Sequence, residues 1–114
     1  MQQITSLTND TKQRMIINLE DNQGSVEFFL YYAPTQYSWY YDFTYNDYTS
    51  NGNKVVLNVN ALRHLKKIIP FGLMFQAEGN IEPFKIDDFS TQRVQLYVLN
   101  SDDVNIIEEE IYDV

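Results

Sequence analysis

The fold is decided by an aromatic stretch near the middle of the chain, which reads Gln36-Tyr37-Ser38-Trp39-Tyr40-Tyr41-Asp42-Phe43-Thr44-Tyr45-Asn46. Aromatic and β-branched residues favour the pleated, half-buried surface of a sheet, so the composition predicts a β-strand. Successive side chains of a strand point to opposite faces. One face of this strand would be mostly polar and the other wholly aromatic, formed by Tyr37, Trp39, Tyr41, Phe43 and Tyr45. This alternation is typical of an antiparallel sheet that is buried on one side.

Further strands are predicted on both sides of this stretch from the same alternation. A face of three or four apolar side chains occurs in each of residues 13–19, 25–33, 54–59, 72–78 and 92–99. A looser first strand is expected within residues 4–12. Turn residues separate the strands: Pro34 ends one of them, and Asn51-Gly52 predicts a tight hairpin. Asn60–Lys67 is the predicted helix, with Asn60 as its N-cap, although two turns are short enough for an irregular loop as well.

Together these elements predict an all-β fold, a small antiparallel β-barrel or sandwich of six to seven strands with one short helix and an acidic C-terminal tail. We expect residues 1–100 to form a single β domain. Residues 101–114 contain six acids and no base, and they are expected to form a C-terminal extension. The predicted structural core includes Trp39, Tyr41, Phe43 and Leu96.

Charge and composition argue against several classes of binding partner. Eight basic and sixteen acidic residues give a net charge of −8, which opposes binding to nucleic-acid phosphates and to anionic membranes. No apolar run approaches the roughly 20 residues of a membrane span, and the first residues lack the basic and apolar regions of a signal peptide. There is no cysteine, and no carboxylates are spaced as a ligand pair near His64, the only histidine. We therefore predict no metal, no cofactor, no nucleic-acid partner and no membrane partner.

No catalytic motif is present. The chain lacks both a Gly-x-Ser-x-Gly sequence and a glycine-rich phosphate loop. Asp87 and Asp88 are adjacent, so on an extended chain their side chains would point to opposite sides and could not readily share a substrate. Turn formation suits them better. We do not expect an enzyme.

Three tyrosines are candidates for an interface. Tyr31, Tyr40 and Tyr48 should project from the sheet face opposite the core, and exposed aromatic side chains are enriched at protein interfaces. A second covered face and a glycan-binding platform are the alternatives.

The charges are segregated along the chain. Arg63, Lys66 and Lys67 lie within five residues of one another, whereas the tail is acidic and includes Glu108, Glu109 and Glu110. Opposite patches steer protein encounter and fix register. We hypothesise that the tail reaches a basic patch on a neighbouring subunit or another protein; a solvated, disordered tail is the alternative.

Several short motifs follow one another along the chain in a characteristic order. The chain has Trp-Tyr-Tyr-Asp at residues 39–42, then Asp-Asp-Phe at 87–89, then Arg-Val-Gln-Leu-Tyr at 93–97. This order, across residues 4–103, resembles the small baseplate plug proteins of contractile-tailed bacteriophages. The resemblance implies a β-barrel-like domain at the centre of the distal end of the tail, where it helps to join the tube to the hub and spike, without catalysis. It also suggests a structural polar contact between Asp88 and Arg93.

The resemblance thus predicts a structural component of a contractile phage tail baseplate, a plug or adaptor near the tube–hub junction that acts through protein–protein assembly. Its partners would be other baseplate, hub and tail-tube proteins, and further copies of itself in a closed ring. It would be located in the virion after synthesis in the bacterial host cytoplasm. The alternative is a soluble β-sandwich binding module whose exposed tyrosines bind a glycan or a peptide.

Overall fold

The computed structural model describes residues 1–20 and 22–112. Within this part the chain forms seven strands, namely β1 (Gln2–Ile4), β2 (Lys12–Asn18), β3 (Ser25–Ala33), β4 (Ser38–Tyr45), β5 (Tyr48–Lys54), β6 (Gly72–Ala77) and β7 (Val94–Leu99). It also forms one α-helix, α1 (Ser101–Glu110), and the 3-10 turns Arg63–Leu65 and Glu78–Asn80. Sheet 1 has the strand order β1-β7-β6 and sheet 2 the order β2-β3-β4-β5, and all strand pairs are antiparallel.

The two sheets form an open sandwich, which confirms the predicted all-β fold and decides between the sandwich and the barrel. Each strand turns one face toward the shared core, where Tyr41 of sheet 2 lies 5.5 Å from Phe75 of sheet 1 between ring centroids. The predicted core residues all lie here, fully buried: Trp39, Tyr41, Phe43 and Leu96.

The aromatic stretch forms β4 with the expected alternation from residue 39 onward. Trp39, Tyr41 and Phe43 face the core, and Tyr45 is half-buried at its edge. The expectation that Tyr37 belongs to this face is wrong. Tyr37 lies in the turn before β4 with φ of 51° and its side chain is 68% exposed, because the β3–β4 hairpin closes only at the Ala33–Ser38 pair.

The predicted hairpin at Asn51-Gly52 is also wrong. The chain instead reverses in a two-residue turn formed by Asn46 and Asp47, so that Tyr45 pairs directly with Tyr48. Asn51-Gly52 lies within β5 as a bulge, at the point where the register with β4 shifts between Tyr41 and Phe43. A bulge and a tight hairpin turn both favour residues that tolerate positive φ, and Gly52 has φ of 69°.

Residues 54–67 are less regular than predicted. Between β5 and β6 the chain forms a single bridge, Asn58 to Phe75, in place of the strand expected over 54–59. The helix predicted over Asn60–Lys67 is reduced to one 3-10 turn. The buried Oδ1 of Asn60 accepts hydrogen bonds from the backbone N–H groups of Leu62 (3.0 Å) and Leu73 (3.3 Å). Asn60 therefore joins this segment to β6, as a side chain that bonds to backbone in competition with regular structure.

The α-helix of the described chain lies in the acidic tail. Asn100 caps α1: its side chain accepts from the N–H of Asp103 (2.8 Å), and the Asp103 carboxylate accepts from the N–H of Asn100 (3.1 Å). This reciprocal pair satisfies two donors at the helix start. Val104 and Ile107 of the helix pack on three residues of the outer face of sheet 1, Met74, Tyr97 and Leu99. The helix thus adds a third layer on one side of the sandwich.

Candidate interaction surfaces and the buried ion pair

Asp88 and Arg93, which the resemblance paired, are in contact. Arg93 Nε lies 2.8 Å from Asp88 Oδ1, and Arg93 Nη2 lies 2.9 Å from Oδ2. The two parallel bonds form the forked geometry that makes arginine–carboxylate pairs strong. The Asp88 side chain is 1% exposed and that of Arg93 is 22% exposed, so the pair lies largely outside solvent.

The same two side chains hold the loop that precedes β7. Asp88 Oδ2 also accepts from the N–H groups of Phe84 (2.7 Å) and Lys85 (2.8 Å). Arg93 donates to the carbonyl oxygens of Ile81 (3.0 Å) and Glu82 (3.3 Å). We call this segment the 81–93 loop. Both oxygens of the Asp88 carboxylate and most of the N–H donors of the Arg93 guanidinium therefore hold the 81–93 loop in one conformation.

Two core aromatic residues anchor this loop from the other sheet. Trp39 Nε1 donates to the carbonyl oxygen of Lys85 at 2.9 Å, and the Tyr32 hydroxyl donates to that of Phe84 at 2.8 Å. The loop is thereby tied to sheet 2, while its apolar side chains at 81, 84 and 86 remain exposed.

The surroundings of Asp88 shift its ionisation. Burial by itself would raise the pKa of Asp88, but the hydrogen bonds from Arg93 and from the two backbone N–H groups outweigh it and hold the pKa below its ordinary value. The hydrogen bond to Asp88 in turn raises the pKa of Arg93. Both groups are therefore charged at neutral pH, and the pair is an ion pair.

The outer face of sheet 2 carries a second group of predicted residues. In cross-strand register Lys12 is opposite Tyr31, Tyr31 is opposite Tyr40, and Tyr40 is opposite Lys54. The neighbouring row contains Arg14, Phe29 and Asp42. We call this surface the aromatic face and define it by Lys12, Arg14, Phe29, Tyr31, Tyr40 and Lys54.

The rings of the aromatic face stack on one another. Ring centroids are 5.0 Å apart for Phe29 and Tyr31 and 6.0 Å apart for Tyr31 and Tyr40. The Arg14 guanidinium lies 4.3 Å from the centre of the Phe29 ring, within the range of a cation–π contact. A groove of about 470 Å³ runs beside Phe29 and reaches Ile16, Glu27 and Thr44. All three rings remain half-exposed.

Asp42 fixes this face to the β5 bulge. Its Oδ1 accepts from the Tyr31 hydroxyl (3.1 Å) and from the Gly52 N–H (2.7 Å). Burial, together with this bond to Asp42, raises the pKa of Tyr31. The tyrosine is therefore held as a neutral hydrogen-bond donor, and its ring orientation is set by the sheet itself.

Tyr48 does not share this surface, so its predicted orientation is wrong. It lies opposite Tyr45 and packs on the core, 6.0 Å from Phe43 between ring centroids. The reversal at residues 46–47 is responsible, since directly opposed residues of a pair share one face.

The basic cluster meets the acidic tail of its own chain. Arg63 Nε lies 3.1 Å from Glu108 Oε2, and Lys66 Nζ lies 2.9 Å from Glu108 Oε1. These bonds, with that from Lys66 the larger contribution, lower the pKa of Glu108. Glu108 of the tail therefore contacts basic residues of its own chain, whereas we expected a basic patch on a neighbouring subunit or another protein. Lys67, Glu109 and Glu110 are exposed.

Within 1–20 and 22–112, no three His, Asp or Glu side chains lie close enough together to hold a metal ion. His64 is exposed in the 3-10 turn. Over the same residues, no helix combines the length and the apolar character needed to cross a membrane. The structure defines a small β-sandwich protein in which charged groups brace a loop and a helix, with one half-exposed aromatic face.

Comparison with known protein families gives this class a more specific identity. Residues 1–102 of the 114 match the family described as Cyanophage baseplate Pam3 plug gp18. The search of curated proteins found no match. The chain therefore belongs to the phage baseplate plug family, as the resemblance indicated. It is a structural protein of the phage baseplate, with a place in the virion tail among other baseplate proteins.

Proposed function

We propose that this chain is a plug or adaptor near the junction of the tail tube and the hub, and that it acts through protein–protein assembly. The observation that supports an assembly role most directly is the aromatic face. On the opposite side of the sandwich α1 covers the outer residues of sheet 1, whereas the rings on the outer face of sheet 2 stay half-exposed. Tyrosine and arginine are the residue types that interfaces enrich and that supply binding hot spots.

The proposal includes a defined set of partners. Hub and tail-tube proteins would contact the plug, and copies of the chain would close into a symmetric ring, as homo-oligomers usually do. Residues 1–100 would form the plug domain, and residues 101–114 would be its acidic C-terminal extension. The chain would be made in the host cytoplasm and act in the virion.

The first test is the mass of the purified protein, alone and after co-expression with the hub and tube proteins of the same phage. Size-exclusion chromatography with light scattering should show a discrete oligomer or a complex with those partners. A monodisperse monomer that ignores both proteins contradicts the proposal.

A matched pair of tyrosine variants tests the surface. Tyr40→Ser removes a ring from the aromatic face, whereas Tyr37→Ser removes an exposed ring from a turn. Truncation of a hot-spot residue costs about 2 kcal/mol or more, so Tyr40→Ser should weaken complex formation by about thirtyfold or more. Tyr37→Ser should not. Equal effects of the two variants would exclude the aromatic face as the contact surface.

The groove beside Phe29 also favours a second function, a binding module for a glycan or a peptide. Tryptophan fluorescence is a poor assay for it, because Trp39 is fully buried and faces the core. Chemical-shift changes of the Phe29 and Tyr31 ring protons, recorded against glycan and peptide panels, would report on the groove directly. Saturable changes in a monomeric protein would favour this function over assembly.

A further inference from the structure

The two sides of the sandwich carry opposite chemistry. On one side α1 packs on sheet 1 through Val104 and Ile107. Its solvent-facing residues recur at intervals of three and four, the spacing of one helix face. We call this the helix stripe: Asp102, Asn105, Ile106, Glu109 and the adjoining Glu110, all exposed. The helix stripe is thus acidic around one isoleucine that is 56% exposed.

The other side is the aromatic face, which holds three of the eight bases of the chain, Lys12, Arg14 and Lys54. Two acids lie on the same side, Glu27 and Asp42. Asp42 already accepts bonds from Tyr31 and Gly52. In a chain of net charge −8, this surface is locally positive and apolar in its centre.

We propose that the aromatic face receives the helix stripe of a second copy of this chain. Ile106 would pack on the stacked rings, and the helix acids would lie among the flanking bases. One chain cannot make this contact with itself, because its own stripe lies on the far side of the sandwich. Each copy can use both surfaces at once, so the contact is head-to-tail and generates a ring if its rotation closes. This inference rests on the proposed function, since it names the surfaces of the self-association proposed there.

Charge exchange tests the contact with little disturbance of the fold. The face variant, Lys12→Glu with Lys54→Glu, reverses the two ends of the tyrosine row. The helix variant, Glu109→Lys with Glu110→Lys, places cations near the C-terminal end of α1, where they suit the helix dipole. The control, Lys67→Glu with Lys85→Glu, makes the same change in net charge as the face variant at exposed bases off both surfaces. Circular dichroism and thermal melting verify folding.

Light scattering over a range of concentration gives the readout. The parent should self-associate, less so at high salt because exposed charges are screened. Each variant alone should associate at least about tenfold more weakly, since like charges now meet at the contact. An equal mixture of the face and helix variants should associate again, because every contact between unlike copies pairs opposite charges. The control should behave as the parent does.

Several results would overturn the inference. It fails if the parent is monomeric throughout, if the two variants associate as the parent does, or if the mixture recovers nothing. A parent that is monomeric but is captured by hub or tube protein overturns the helix docking and leaves the proposed plug function standing. A parent that self-associates through this contact but ignores hub and tube proteins supports the docking and contradicts the placement at the tube–hub junction.

Discussion

Replacing Asp88 with alanine should cost this small protein a large part of its stability. The change removes the acceptor of four hydrogen bonds, two from Arg93 and one each from the backbone N–H groups of Phe84 and Lys85. It leaves an arginine without its counter-charge and two backbone donors without a partner. Unsatisfied buried donors carry their full desolvation penalty.

The magnitude follows from the burial of the two partners. Breaking a buried ion pair by removing one member costs about 3 to 5 kcal/mol. Arg93 is 22% exposed and keeps its bonds to the carbonyl oxygens of Ile81 and Glu82. The loss of stability should therefore lie near the lower end of that range. For a domain of this size about 3 kcal/mol corresponds to a fall in Tm of roughly 12 °C. Asp88→Asn keeps the shape and one acceptor oxygen, so its loss should be smaller.

Thermal and urea unfolding measure this loss, with Asp87→Ala as the control, since that neighbouring carboxylate is exposed. Surface changes usually stay within about 0.5 kcal/mol. Trp39 gives a local readout, because its indole bonds to Lys85 within the same loop; release of the loop should shift its emission to the red. A Tm of Asp88→Ala within about 2 °C of the parent would refute the claim that this pair holds the loop.

Three further predictions concern packing, pH and the tail. Gly72→Ala should lower the free energy of unfolding by about 1 to 3 kcal/mol in a urea titration, because the new Cβ would lie 2.5 Å from the buried Oδ1 of Asn60. Both Asp88 and Glu108 have lowered pKa values in the folded state, so the stability that they add is present above their unfolded pKa values of 3.8 and 4.5 and is lost as pH falls through the folded ones. Urea midpoints measured from pH 7 to pH 3 should therefore fall on the acid side, and Asp88→Asn should reduce the fall; a midpoint independent of pH would contradict this. Deletion of 101–114 should abolish assembly, measured as the mass in light scattering. An oligomer of unchanged mass would show that the tail is not required for assembly.

The sequence predicted the inward side of β4 because the period of a strand is fixed at two residues. Once Trp39 is placed in the core, Tyr41 and Phe43 must follow it. This parity applies only where the strand is unbroken. Tyr37 obeys the same parity but lies in the hairpin turn before β4, and no local signal in the sequence distinguishes the two cases.

The Asn51-Gly52 pair shows why turn signals are ambiguous. Asn and Gly report only that the backbone tolerates positive φ, which a hairpin turn and a bulge both use. The bulge is stabilised by the bond from the Gly52 N–H to Asp42 on the neighbouring strand, a contact ten residues away. The outward orientation predicted for Tyr48 is wrong for the same reason, since the face on which Tyr48 lies depends on where the chain turns.

The charged residues could be recognised in the sequence but their partners could not. The segregation of Arg63 and Lys66 from the acidic tail was visible, yet charge alone does not tell whether two patches meet within one chain or between two. The Asp88–Arg93 contact was predicted only from the resemblance, because four residues of irregular loop lie between the partners and no periodic rule brings them together.

The irregular backbone of the 81–93 loop explains why an ion pair, Asp88–Arg93, occupies a site that apolar side chains could also fill. A buried pair gives little net stability over well-packed apolar side chains of the same volume, so stability alone does not account for it. Asp88 and Arg93 also bond to four backbone groups of the loop, which no apolar pair could satisfy. The loop can thus leave regular structure and still hold one conformation, with Ile81, Phe84 and Ile86 turned outward. For a protein that works by assembly, a fixed loop loses less conformational entropy on contact with a neighbour than a mobile one.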